Sequence, residues 1–139
     1  MSERPAFPKR DDRGRITVLT DMLAAVTASL VLSLAVVLVI DLVAVAFGAA
    51  FGQSSGWLGV ILPAWLFTEE FRAWRGTPGR GALAAFGVVF SLVAGMSAGF
   101  TAEYLPALAS GAIGAAVCVL AYLLIWFFGI RWLARRAGE

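Results

Sequence analysis

Residues 57–80 read WLGVILPAWLFTEEFRAWRGTPGR, and whether this stretch crosses a membrane decides the fold. It opens with eleven apolar or small residues, Trp57 to Phe67, with Pro63 among them, before Thr68, Glu69 and Glu70 interrupt. An apolar run of roughly 10 to 14 residues also suits a re-entrant or interfacial segment. Extended to Trp74, the helix has 18 residues. At 1.5 Å per residue it would reach about 27 Å, with Trp57 at one membrane interface and Trp74 at the other. Charge placement favours the crossing. All eleven Lys and Arg residues fall in the N-terminal tail, in residues 72–80 or in residues 131–136, and the two long apolar stretches between contain none. The positive-inside rule then puts all three segments in the cytoplasm, so each apolar excursion leaves and returns. The prediction is an all-α integral membrane protein with four transmembrane helices in an antiparallel bundle, N-in and C-in.

Working outward, residues 1–20 read as a polar cytoplasmic tail, 21–136 as the transmembrane domain and 137–139 as a short C-terminal tail. The apolar run beginning at Met22 far exceeds the 7 to 15 residues of a cleavable signal core, so it reads as an uncleaved signal anchor. The expected helices are 22–51, 57–74, 81–102 and 105–133. Thr20 or Asp21 would cap the first, and Gly52–Gly56 supplies an outer turn. Gly76, Pro78 and Gly79 give the inner loop its turn chemistry. Pro106 fits the first turn of the last helix, and Trp126, Phe127, Phe128 and Trp132 would rim its inner end beside Arg131, Arg135 and Arg136. A shift of 61 residues aligns Ala73 with Ala134 and Arg75 with Arg136. Two helix ends shaped by the same interface account for that similarity without a duplication.

Composition agrees with the class. The chain has 139 residues, 60% hydrophobic and 14% charged, against about 45 to 50% apolar for soluble domains. A net charge of +2, with the basic residues beside apolar spans, argues for membrane orientation and anionic headgroups rather than nucleic acid. Without histidine the commonest metal ligand and neutral-pH base is missing, and a lone Cys118 allows no intramolecular disulfide. No cofactor is expected. Ten Arg to one Lys, with abundant Ala, Gly and Val, suggests a G+C-rich prokaryote and its plasma membrane.

Few residues could carry chemistry. Asp41, the twentieth residue from Met22, falls near the outer edge of the hydrocarbon on a small and polar stripe with Ser29, Ser33, Ala44 and Gly48. Intramembrane carboxylates are costly and usually face protein or water. Asp41 thus reads as an ion or proton site, or as an interface group that snorkels or bonds a neighbouring helix. Glu103 would join it in an acidic outer mouth, although a carboxylate just before a helix N-terminus has a structural use as well. Gly95 and Gly99 form a GxxxG step after Ser91, and Ala107, Gly111 and Ala115 continue small-residue spacing on the last helix. Such spacing lets backbones approach. Glu69, Glu70, Arg72, Arg75 and Arg80, beside Phe71 and Trp74, form a charged cytoplasmic surface for docking or lipid contact.

Three functions remain. The first is a non-catalytic accessory or structural subunit, whose partners are the lipid bilayer and other membrane proteins or itself. The second is a small oligomeric ion or proton channel or transporter using Asp41 and Glu103. The third is a lipid-modifying enzyme, disfavoured because no phosphate loop, HExxH or dense carboxylate cluster is present.

Overall fold

The computed structural model describes residues 7–49 and 52–138. Its elements are α1 (Leu19–Ala46), α2 (Gln53–Trp57), a 3₁₀ turn (Leu58–Val60), α3 (Ile61–Ala73), α4 (Arg80–Thr101) and α5 (Ala107–Arg136). Helices α1, α4 and α5 are each long and apolar enough to cross a membrane, and the chain is a helical membrane protein. The segment α2, 3₁₀ turn and α3 runs unbroken from 53 to 73, about 32 Å at helical rise.

That second segment starts earlier than the sequence suggested and is not uniform. Pro63 sits in the first turn of α3 and, lacking an N–H, cannot donate to the carbonyl four residues earlier, that of Gly59. The backbone tightens there, and the Ile61 N–H donates to Leu58 O in 3₁₀ fashion. The N–H of Leu62 donates across to Ser33 Oγ of α1 at 3.2 Å. Gly59 admits the crossing, since a Cβ there would lie 2.6 Å from Leu34 Cδ2.

Helix α1 begins at Leu19 behind an extended Val18, so neither Thr20 nor Asp21 is its N-cap; Asp21 lies in the first turn and accepts the Lys9 N–H at 2.9 Å. The helix ends at Ala46, and the expected end, Phe51, lies outside the described residues. Its stop is a Schellman closure, in which Ala49 N–H reaches Ala44 O and Gly48 N–H reaches Val45 O, with Gly48 at φ +81°. Pro106 precedes α5 as its N-cap rather than occupying the first turn.

Close approaches fix the packing directions. Gly87 faces Tyr122 and Gly95 faces Gly114, so α4 and α5 run antiparallel. Along α2 and α3 the partners on α5 rise together: Gly56 with Gly111, Phe67 with Tyr122, Phe71 with Trp126, a parallel pairing. Helix α1 packs against α3 and the 3₁₀ turn, α4 packs on α5, and α5 touches α1, α2 and α4. Its face of Gly111, Gly114, Ala115 and Cys118 is buried accordingly. The largest buried side chains gather at the arginine-rich end, where Ile16, Met22, Val26, Leu123, Trp126 and Ile130 form a core.

Candidate functional site

Two features stand out: a charged cap at the basic end, and a cleft beside it. The cap is built on α3, whose helical spacing puts Glu70 and Trp74 on one face. Glu70 is fully buried, the only buried acidic residue among those described. Its Oε2 accepts the Trp74 Nε1–H at 3.1 Å and its Oε1 accepts the backbone N–H of Ile16 at 2.8 Å, with Arg10 Nη1 at 3.7 Å. Arg131 of α5 donates to Ile16 O and, at 3.1 Å, to Phe127 O. The peptide unit on each side of Ile16 is thus held, by an acid from α3 and a base from α5. Arg15 lies with its guanidinium 4.1 Å from the Trp74 ring centroid and donates Nε–H to Ala73 O at 3.3 Å.

Local chemistry shapes the segment that enters this grip. Asp11 Oδ1 accepts the N–H groups of Arg13 and Arg15, and Gly14 takes φ +80° to turn the chain. Thr17 N–H then returns to Lys9 O at 3.1 Å, opposite a single bridge between Arg10 and Ile16. Sequence alone did not reveal this fold-back. Its only trace was the four-residue spacing of Glu70 and Trp74. Trp74, Trp126 and Phe127 are buried in or near the cap, not displayed at an interface, whereas Phe128 and Trp132 are more than half exposed.

The proposed cytoplasmic charge surface is therefore divided. Glu70 is inside the protein and cannot dock a partner. Glu69 pairs with Arg72 at 3.2 Å on the surface, and Arg75 is exposed. Arg80, half-buried at the start of α4, donates to Phe71 O at 2.6 Å and stands 4.2 Å from the Phe71 ring centroid.

The cleft lies between α3 and α4 and is floored by α5, a cavity of about 460 Å³. Val60, Ala64, Phe67 and Phe71 form one wall, Ala84, Val88 and Ser91 the other, and Cys118 and Tyr122 the floor. Trp57 closes the far end. Its indole lies across Gly95 and Gly114, which explains why both positions lack a side chain: a Cβ on either would come within 2.7 Å of the ring. The expected interface role of Trp57 gives way to this wedge. Gly95, Gly99, Gly111 and Ala115 are all buried. Gly48, expected in a packing stripe, is exposed within the chain, where a methyl group would find nothing within 4 Å, and its positive φ closes α1.

The two carboxylates away from the basic end, Asp41 and Glu103, are separate features. Asp41 continues the packed face Met22, Val26, Leu30, Ser33 and Val37 of α1, and its Oδ1 is shielded without a hydrogen-bond partner. Glu103 is exposed in the turn between α4 and α5, and no hydrogen bond or ion pair joins it to Asp41. Ser29 donates to Val26 O of its own helix at 2.8 Å. Among the described residues no group of three or more His, Cys, Asp or Glu side chains could hold a metal ion. Compared with known proteins, the chain matches no family model, no curated protein and no solved structure.

Proposed function

We propose that the chain is a non-catalytic accessory or structural subunit of a membrane complex, built as a four-crossing antiparallel bundle with its arginine-rich end in the cytoplasm of a prokaryotic cell. The meeting of Arg10, Arg15, Glu70, Arg80 and Arg131 at one end of the helices supports that orientation, because the positive-inside rule needs all basic segments on one side. The length of residues 53–73 supports the second crossing.

The observation that carries the accessory role is the outer half of α1. Beyond Val37 the helix presents Leu38, Val39, Ile40, Leu42 and Val43 unpacked. An apolar helix face left unpacked within its own chain is available to a neighbouring transmembrane helix. The inner polar groups, Glu70 and Ser33, are already engaged within the chain. A photoreactive residue at Val39 or Leu42 in native membranes should crosslink to a specific membrane protein, and the same probe at Phe86 on α4 should not. Labelling of lipid alone at all three positions would remove the accessory reading.

Asp41 supports the second reading, a small ion or proton pathway with Glu103. Flux through proteoliposomes separates the two. A pathway conducts and is altered by Asp41→Asn, while an accessory subunit conducts nothing in either form.

A further inference from the structure

We propose that the cleft between α3 and α4 holds one acyl chain of an anionic phospholipid, with Arg80 at its mouth holding the phosphate. This site rests on the chain's residence in a bilayer, not on its accessory role.

The cleft and the arginine belong to one surface. Arg80, Ala84, Val88 and Ser91 recur at steps of four, four and three, so they share a face of α4. On the opposite wall Phe71 lines the cleft, and its ring and carbonyl both contact the Arg80 guanidinium. The basic group therefore stands where the apolar lining ends. No carboxylate among the described residues pairs with Arg80, and only one of its five N–H donors is engaged. A phosphate would satisfy that fork in the bidentate manner arginine favours.

Size decides what fills the apolar part. From Arg80 to Leu92 the rise is about 18 Å, comparable with the roughly 15 Å of hydrocarbon in one leaflet. About 460 Å³ distributed over roughly 12 to 18 Å gives a cross-section of about 25 to 40 Å². An α-helix about 10 Å across would need about 80 Å². A single hydrocarbon chain can lie wholly within that section, whereas a helix would rest on the cleft rather than enter it. The cleft is open sideways, since Ala64, Thr68, Val88 and Leu92 remain exposed and apolar Trp65 and Val89 flank them. A lipid can therefore enter from the bilayer without passing through water.

The test uses the full chain reconstituted into phosphatidylcholine vesicles with phosphatidylglycerol as the minor component, extracted in mild detergent and weighed intact by native mass spectrometry. The expected result is one retained lipid per chain, enriched in phosphatidylglycerol over its share of the vesicle. Arg80→Gln should lower that enrichment about five-fold, the contribution of one cation at an anionic surface, while total retained lipid stays near the wild-type level. Arg80→Lys should keep most of it. The filled cleft of Ala64→Phe with Ala84→Phe should lose both lipids. Should that variant fail to fold, a photoactivatable phosphatidylglycerol chain on the wild-type protein gives an independent answer, with adducts expected on cleft residues such as Thr68 and Val88. Retained lipid that mirrors the vesicle, enrichment unchanged by Arg80→Gln, adducts confined to α1, or a second protein occupying the cleft would each overturn the proposal.

Discussion

Removing Glu70 should release the segment around Ile16 from the helices. Glu70→Ala deletes the acceptor for two buried donors, the Ile16 N–H at 2.8 Å and the Trp74 indole N–H at 3.1 Å. Hydrogen bonds to a charged group contribute about 1.5 to 3 kcal/mol each. The Arg10 contact adds little, because that side chain is 37% exposed and the separation is 3.7 Å. The cap should therefore lose about 3 to 6 kcal/mol, and Glu70→Gln, which keeps one acceptor oxygen and the shape, about half of that. Trypsin reports the change at the bond following Arg15, since Arg15 and Ile16 are both buried until the segment opens. When opening and closing outpace cleavage, the cutting rate follows the open population. A loss of about 3 kcal/mol is then a rate increase of roughly 150-fold for Glu70→Ala, and about ten-fold for Glu70→Gln. Glu69→Ala, one position away but exposed and paired only with Arg72, should leave the rate within about two-fold of wild type. Equal cutting of the wild type and Glu70→Ala would show that the carboxylate does not hold the cap.

Other substitutions probe the helix contacts. Ser33→Ala removes the acceptor for the Leu62 N–H, and interhelical hydrogen bonds in membranes contribute about 0.6 to 1.7 kcal/mol; a modest fall in the thermal midpoint in detergent is expected, and no fall would discount the clip. Gly95→Val would drive a side chain into Gly114 O, the Trp57 ring and Cys118, at a cost of at least about 1 to 3 kcal/mol, read as loss of the folded fraction in a denaturant titration. Gly48→Ala meets no neighbour, so any cost comes from its positive φ alone, about 1 kcal/mol in the same titration. Asp41→Asn should leave proteoliposome flux unchanged under the accessory role and alter it under the conduit role.

Arginine spacing and apolar length made the helices legible, because both depend on composition along the chain and not on contacts. The boundaries moved where contacts intervene. Gly48 closes α1 before Phe51, and Pro63 with Gly59 tightens the second segment into a 3₁₀ turn that a propensity reading cannot place. The small-residue spacing on α4 and α5 was visible, but the occupant of the space it leaves, the Trp57 indole, comes from a third helix. Least legible was the cap. Glu70, Arg15 and Arg131 lie far apart in sequence, and charges beside a membrane read first as headgroup partners. Only the fold reveals that two of these side chains grip the backbone of Ile16 instead.

Whether residues 53–73 cross the bilayer is open to direct test by single-cysteine labelling in intact cells, in a Cys118→Ala background that removes the sole native thiol. With a membrane-impermeant maleimide, Phe47→Cys and Tyr104→Cys, both exposed, should react from outside. Pro78→Cys and Ala137→Cys should react only after permeabilisation. Reaction of Pro78→Cys in intact cells would place both ends of the second segment on the outer face and contradict the four-crossing arrangement.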